Sequence, residues 1–360
     1  MPSKLRVAVI GLGMGMGHAH RYRDCAEAEL VAICDNDPAW LGHCQAALQV
    51  PLTFTDYRAL LKCPEVDAVS ICLPTHLHAQ ATIAALRAGK HVLCEKPMAT
   101  NAKDAQAMAA AAKAARKALM ISQNQRFTPE AQYLKHRLQR GELGDLYFVR
   151  TGWRRPMGMF PSPTAQRATG AFSRNWFNRR ATGGGVLRDL GSHMLDLSLW
   201  FLDFPKVSEV LSANYAIFTP EHSAAHGQKG DAEDLAVGMV RFANGASLQL
   251  EVSFGTFVES EVVFLELYGT RGGASLRNGL KFFGASKEAY TTTIPQRFTG
   301  RVETPQAHFV HSVQKRTQPL VTPDQGVAVI RLLDALYSSG TLERKHLRPP
   351  RPSRGTRLEK

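Results

Sequence analysis

The sequence predicts a two-part α/β protein. A doubly wound parallel sheet fills roughly the first third, and an α+β region on an antiparallel or mixed sheet follows. Three observations carry this. Over residues 4–122 short apolar runs alternate with helical stretches. Beyond about residue 122, strand-like runs succeed one another without helices between them. The 360 residues also exceed a single ordinary core, at about 100–200 residues per domain.

The first strands are LRVAVI (5–10), ELVAIC (29–34), DAVSIC (67–72), HVLC (91–94) and LMIS (119–122). Apolar side chains occupy successive positions in them, as in parallel strands buried on both faces. Helices are expected at 76–88 and over the Ala-rich 101–117. A helix near 128–140 then stops at Gly141 or Gly144. LYFVRTGW (146–153) reads as a strand, a Pro/Arg/Gly-rich loop runs to about 182, and a helix spans about 190–202. Strands follow at 207–217, 235–243, 246–254 and 261–268, with ANGA (243–246) as a hairpin turn. A helix at 324–338 closes the fold. The expected units are 1–122, 123–343 and a basic tail, 344–360.

Hydrophobic content of 44% leaves enough apolar surface for a sizeable core. No run approaches the ~18 apolar residues of a membrane span. MPSKLRVAVI leads straight into a glycine turn without a small-residue cleavage site, so it reads as a strand and not a leader. All cysteines lie within the first 94 residues without a C-x-x-C pair, which predicts reduced thiols, a cytoplasmic location and no metal site. Net charge is +13, of which the tail supplies +6. The tail is expected to be disordered and solvated, and no nucleic-acid partner is expected. A basic surface does favour anionic ligands.

The chemistry starts at GLGMGMGHAH (11–20), between a strand and a helix. Gly11 and Gly13 match the start of a G-x-G-x-x-G dinucleotide turn, but its third slot holds Met16, with Gly17 one place later. Either Met16 fills the slot or a longer loop gives Gly17 the close-packing role. The turn and helix N-terminus, at Met14, Gly15 and Met16, would offer amides to a pyrophosphate. Asp35 ends the second strand 24 residues after Gly11, where a carboxylate binds ribose hydroxyls and repels a 2′-phosphate. That favours NAD over NADP. The competing role for Asp35 is to cap the helix after Pro38. PTHLHA (74–79) follows another strand, placing Leu73 beside the cofactor, Thr75 as a helix cap and His78 within reach. EKP (95–97) ends the next strand, aiming Glu95 and Lys96 at the same cleft, with Asn124 lining it. In GGGVLRDLGSHMLDL (183–197), Asp189 and His193 are four apart and share a helix face.

In order, these motifs, with AGKHVLCEKPMA and NQRFTPE, resemble the Gfo/Idh/MocA oxidoreductase family, named for glucose-fructose oxidoreductase and inositol dehydrogenase. The resemblance runs from about residue 4 to 340. It implies a Rossmann domain plus an α+β domain with a large open, mostly antiparallel sheet that makes a homodimer or homotetramer. It also implies hydride transfer between a nicotinamide and a carbon of a sugar, polyol or sugar acid. The family's Lys–Asp–His set falls on Lys96, Asp189 and His193. His193 would be the general base, its ordinary pKa near 6.5 suiting the task. Lys96 would stabilise alkoxide charge, and Asp189 would orient substrate or His193. Trp153 and Trp176 are candidate sugar walls, and Arg155 or Arg179 candidate anion or hydroxyl ligands. Arg126 is placed near the cofactor cleft. Two alternatives share the fold: an NAD-dependent glycosidase and a catalytically silent dinucleotide sensor.

Overall fold

In the computed structural model, residues 3–340 are described except 160, 162–163, 168–169, 174 and 299–301. The basic tail lies outside them. The first half holds β1 (Leu5–Ile10), α1 (Gly15–Arg23), β2 (Ala28–Cys34), α2 (Pro38–Leu48), β3 (Leu52–Phe54) and α3 (Tyr57–Leu61). It continues with β4 (Ala68–Ile71), α4 (Thr75–Arg87), β5 (His91–Glu95), α5 (Ala102–Ala115) and β6 (Leu119–Ser122). All strand pairs are parallel, in the order β3-β2-β1-β4-β5-β6. The order reverses between β1 and β4, so a crevice opens at the carboxyl ends of these central strands. β3 has no counterpart among the strands read from sequence. It is three residues long and only partly buried.

The second half begins with α6 (Pro129–Gln139) and the long β7 (Leu146–Pro156). The expected loop contains a two-stranded antiparallel ribbon, β8 (Thr164–Arg167) and β9 (Gly170–Ser173). α7 (Ser192–Phe201) follows, then β10 (Val207–Tyr215), α8 (Thr219–Ala224), β11 (Leu235–Phe242), β12 (Ser247–Thr256) and β13 (Val262–Gly269). β14 (Gly273–Ser275), β15 (Lys281–Ala285), β16 (Tyr290–Thr293), α9 (Pro305–Lys315) and α10 (Pro323–Ser339) complete it. The eight-stranded sheet runs β10-β11-β12-β7-β13-β14-β15-β16. It is antiparallel except at its centre, where β12 lies parallel to β7.

One face of this sheet carries α7 and α10. The other is open. Alternation along β11 buries Ala236, Gly238, Val240 and Phe242 and exposes Val237 and Met239. Leu211 pairs with Met239 and is 69% exposed on the same open face.

The halves are tied by buried polar contacts. Arg126, fully buried, donates from Nε and Nη2 to the two oxygens of Asp196, each at 2.7 Å. Its Nη1 donates to Gln325 Oε1 at 2.8 Å and to the Leu320 carbonyl at 3.2 Å. Arg126, just after β6, thus ties the turn there to α7 and α10 of the second half, and its fully buried side chain opens to no cleft. From α10, Asp334 accepts the Ala102 N–H at the start of α5 at 2.8 Å. Gly326 sits so close to Met98 that a Cβ there would lie 2.7 Å from its sulfur.

Candidate active site

The glycine turn is built by close approach. Gly11 has φ +88°, and a Cβ there would lie 2.6 Å from the Cys72 carbonyl oxygen. The third-glycine question has an answer that neither sequence alternative offered. Gly15 opens α1, and its Cβ would lie 2.7 Å from Val9 Cγ1 on β1, whereas Gly17 has open space around it and Met16 is only partly buried. Gly15 therefore takes the packing role in place of Met16 or Gly17. The α1 N-cap, Met14, supplies no side-chain cap and is 68% exposed, so the helix's first amides face outward as a ready anion site. Gly13 is exposed beside it.

Asp35 ends β2 and reaches back to the turn. Its Oδ2 accepts the Leu12 N–H at 2.8 Å, and its Oδ1 the Asp37 N–H at 3.1 Å. The cap of α2 is Asp37, which accepts from Ala39 and Trp40. Asp35 thus belongs to the glycine turn, and the capping alternative falls away. Leu73 lies against Gly11. Thr75 is the first residue of α4 and not its cap; Pro74 precedes it and no side chain caps the helix. Instead Thr75 touches Gly183 of the second half.

His78 does not open to the cleft. It is 1% exposed, with Nδ1 2.9 Å from the Pro97 carbonyl and Nε2 2.7 Å from the Leu73 carbonyl. The ring braces the β4–α4 turn against the EKP segment, which corrects its expected reach to cofactor. Asn124 is exposed at the carboxyl end of β6. Its neighbour Gln123 is 2% exposed with Oε1 lacking a partner among the described residues. Sequence reading passed over Gln123. Its position directly after β6, at the ligand end of the sheet, was the available signal.

From the other half comes the Gly triplet. Gly183 and Gly185 have φ of +80° and +108°. A Cβ on Gly185 would lie 2.2 Å from Glu233 Oε1. That fully buried carboxyl accepts the Leu187 N–H at 3.1 Å and the Tyr337 hydroxyl at 2.6 Å. Burial pushes Glu233 above the usual carboxylate range, despite these hydrogen bonds. The wider π-helical turn Leu187–Gly191 follows, and α7 continues from it. Such turns are frequent at functional sites. Asp189 lies within the wide turn and His193 just after it, so the two do not share one regular α-helical face as the spacing implied.

Across the junction, Lys96 Nζ donates to Asp189 Oδ1 at 2.6 Å. Their side chains are 16% and 17% exposed. Burial would raise the Asp189 pKa, but the charge and hydrogen bond of Lys96 more than offset it and hold the carboxylate lowered. His193 is 7% exposed, and its Nδ1 is buried without a hydrogen-bond partner among the described residues. Burial, helped by the Lys96 charge, lowers its pKa to about 3. The expectation of an ordinary value near 6.5 is therefore corrected; the ring is neutral near pH 7.

Trp153 on β7 places its ring 5.9 Å from that of His193 and is fixed by Nε1 donating to Glu261 at 2.7 Å. Arg155 donates to the same Glu261 oxygen at 3.1 Å and lies over the Trp153 ring. Trp176 serves the Gly triplet through its main chain: a Cβ on Gly184 would lie 2.3 Å from its carbonyl oxygen. Arg179 precedes a short turn, and its carbonyl accepts the Gly184 N–H at 2.9 Å. The site thus joins an anion-binding turn, a carboxylate at the end of β2, and a Lys–Asp pair beside a neutral imidazole and a tryptophan face.

Comparison with known proteins identifies the family of both halves. Residues 5–123 match the family model described as an oxidoreductase family with an NAD-binding Rossmann fold, and residues 131–275 match the GFO/IDH/MocA C-terminal domain. D-glucoside 3-dehydrogenase of Escherichia coli (strain K12) is 30% identical over 356 residues, covering 94% of this chain and 95% of that protein. Levoglucosan dehydrogenase, solved in complex with NADH and levoglucosan, superposes with a TM-score of 0.80 at 22% identity, covering 94% of this chain and 97% of that one. GenD2 from gentamicin A biosynthesis, solved with NAD, gives 0.76 at 26% identity, with 94% and 95% covered.

Proposed function

The chain belongs to the GFO/IDH/MocA oxidoreductase family, and from that premise we propose that it oxidises or reduces a CH–OH carbon of a sugar, polyol or sugar acid. The observation that carries this reading is the junction itself. Lys96 of the nucleotide-binding half is paired with Asp189 of the other half, beside a neutral His193 whose Nδ1 has no hydrogen-bond partner among the described residues.

The residues present fit a dinucleotide: Gly11 leaves no room for a side chain, the α1 amides are uncapped, and Asp35 stands at the end of β2. When bound there, a nicotinamide dinucleotide supplies the hydride acceptor or donor. Leu73, Thr75, Glu95 and Asn124 line the same end of the sheet. Lys96 donates a hydrogen bond to the substrate oxygen and stabilises negative charge on it, while Asp189 holds the ammonium in place. A donor of this kind is worth about 10²–10³ in rate. His193 accepts the hydroxyl proton. Burial ensures that it is in the neutral, accepting form, at the cost of basicity. Trp153 offers its face to the apolar side of a sugar ring, with Arg155 and Trp176 at the flank. The Asp35 carboxylate supports NAD over NADP.

The test is dinucleotide reduction by a panel of glucosides, inositols and anhydro sugars with NAD and with NADP. Lys96→Ala and His193→Ala should each abolish turnover and leave NADH affinity near that of the parent. A His193→Ala protein turning over at the parental rate refutes the base assignment. A relative such as the glucoside dehydrogenase does not favour the glycosidase or sensor alternatives.

The open face bearing Leu211, Val237 and Met239 supports a homodimer or homotetramer through the eight-stranded sheet. Native mass spectrometry of the parent and of Met239→Asp reads this directly. The confinement of the cysteines to the first 94 residues, without a C-x-x-C pair, supports a reducing, cytoplasmic setting.

A further inference from the structure

The second half of the GLGMGMGHAH motif has no role in the site as described. His18 sits on α1, one turn after Gly15, and is 4% exposed. Its Nε2 lies 2.9 Å from Glu95 Oε1 and its Nδ1 3.1 Å from Ser70 Oγ on β4. Ser70 Oγ is in turn 2.8 Å from the hydroxyl of Tyr22, and Ser70 and Tyr22 are fully buried. A carboxylate oxygen only accepts, so Nε2–H donates to Glu95. The Ser70 hydroxyl faces Nδ1, and the Tyr22 hydroxyl closes the row. The other oxygen, Oε2, accepts the main-chain N–H of Lys96 at 3.2 Å.

We propose that His18 is a positioning residue: it holds the Glu95 carboxylate and, through it, couples the seating of α1 on the dinucleotide to the placement of Lys96. The coupling has a mechanical basis. Gly15 fixes α1 against β1 by contact with Val9, and His18 extends from that fixed turn past β4 to the end of β5. His18, Ser70 and Tyr22 are buried, so little water can substitute for a lost member, and removing one leaves its neighbour unsatisfied. Burial alone would raise the Glu95 pKa, but the His18 contact, then Lys96 and Ser122, bring it down to about 2. Cys72, Cys94, His78 and His193 are the other titratable groups facing it. The inference rests on the reading that Lys96 acts on substrate.

The test uses the full chain with His18→Leu, His18→Gln and Ser70→Ala. Three quantities are read: NADH affinity by fluorescence titration, kcat against KM for the best substrate, and the acid limb of kcat/KM. His18→Leu should weaken NADH binding about tenfold or more, lower kcat, and move the acid limb up as Glu95, losing its donor, comes to titrate above His193. His18→Gln, which keeps a donor, should recover part of all three. Ser70→Ala should shift them in the same direction by less, and it decides the matter if His18→Leu does not fold. Parental NADH affinity, kcat and acid limb in folded His18→Leu, or in Ser70→Ala where His18→Leu fails to fold, overturn the proposal. If no CH–OH compound reduces the dinucleotide, the functional reading fails separately. The NADH titration then still reports whether His18 supports the cofactor end, and parental affinity there overturns the coupling too.

Discussion

His193 makes the protein sensitive to acid in a calculable way. In the unfolded chain its imidazole takes up a proton near its ordinary value, 6.5, whereas in the fold it does so only near 3. The neutral folded state is therefore favoured above 6.5, and this contribution is lost as pH falls through the window from 6.5 toward 3. Each pH unit inside the window removes up to about 1.4 kcal/mol. Between about pH 6 and about pH 4.5 the loss from this one group is about 2 kcal/mol. At 7% exposure the ring is too deeply placed for solvent to screen much of it. The perturbation is His193→Gln, which does not titrate. Urea unfolding of parent and variant at the two pH values, followed by tryptophan fluorescence and far-ultraviolet circular dichroism, gives the comparison. Other groups titrate alike in both proteins and cancel. The variant should lose about 2 kcal/mol less than the parent over that interval. Parallel losses, within about 0.5 kcal/mol, mean that His193 titrates near its ordinary value and that burial does not control it.

Three further outcomes are expected. Gly15→Ala forces a Cβ to 2.7 Å from Val9 Cγ1 and should cost about 1–3 kcal/mol while weakening NADH binding, whereas Gly17→Ala meets open space and should leave stability unchanged or raised by up to about 1 kcal/mol. Chemical unfolding of the pair reads this, and equal costs at both positions refute the packing assignment. Arg126→Met strands the buried Asp196 carboxylate, whose pKa burial already raises, and should cost about 3–5 kcal/mol. Pairing it with Asp196→Leu should recover much of that in the same unfolding assay. Gly185→Ala drives a methyl group into the Glu233 carboxyl at a φ of +108°. It should lower kcat more than NADH affinity, because it displaces the turn that carries Asp189 and leaves the glycine loop alone; steady-state kinetics beside a binding titration measure the split.

The parallel sheet was legible because its strands are buried on both faces and so read as unbroken apolar runs, from LRVAVI to LMIS. What escaped lacks that pattern. β3 is half-buried throughout, and β16, Tyr290–Thr293, is exposed at every position, so neither alternates. α9 was missed despite a usable signal: its Thr304-Pro305 start matches Thr128-Pro129 and Thr322-Pro323, each a Thr cap followed by Pro in the first turn. At the site, the residue types Lys96, Asp189 and His193 were legible as a set, but their arrangement was not. The Lys–Asp contact spans 93 residues of chain, the π-helical turn leaves no mark in residue spacing, and the His193 shift arises from burial that only the assembled halves create.

The placement of α10 sets the order in which a growing chain can become active. Every strand of the parallel sheet has been made by residue 122, long before Asp189 or His193 leaves the ribosome. The central strand β7, which carries Trp153, must then wait for β12 and β13, about a hundred residues later, before either of its edges is satisfied. Even then the contacts of α10 are missing. Gln325 reaches Arg126, Asp334 meets the start of α5, and Tyr337 steadies the Glu233 carboxyl beneath the π-helical turn, all from the last described helix. Synthesis therefore completes the parallel sheet first and fastens the second half to it last, and a chain cut short before residue 323 has every strand of both large sheets yet lacks the contacts that α10 makes with each half.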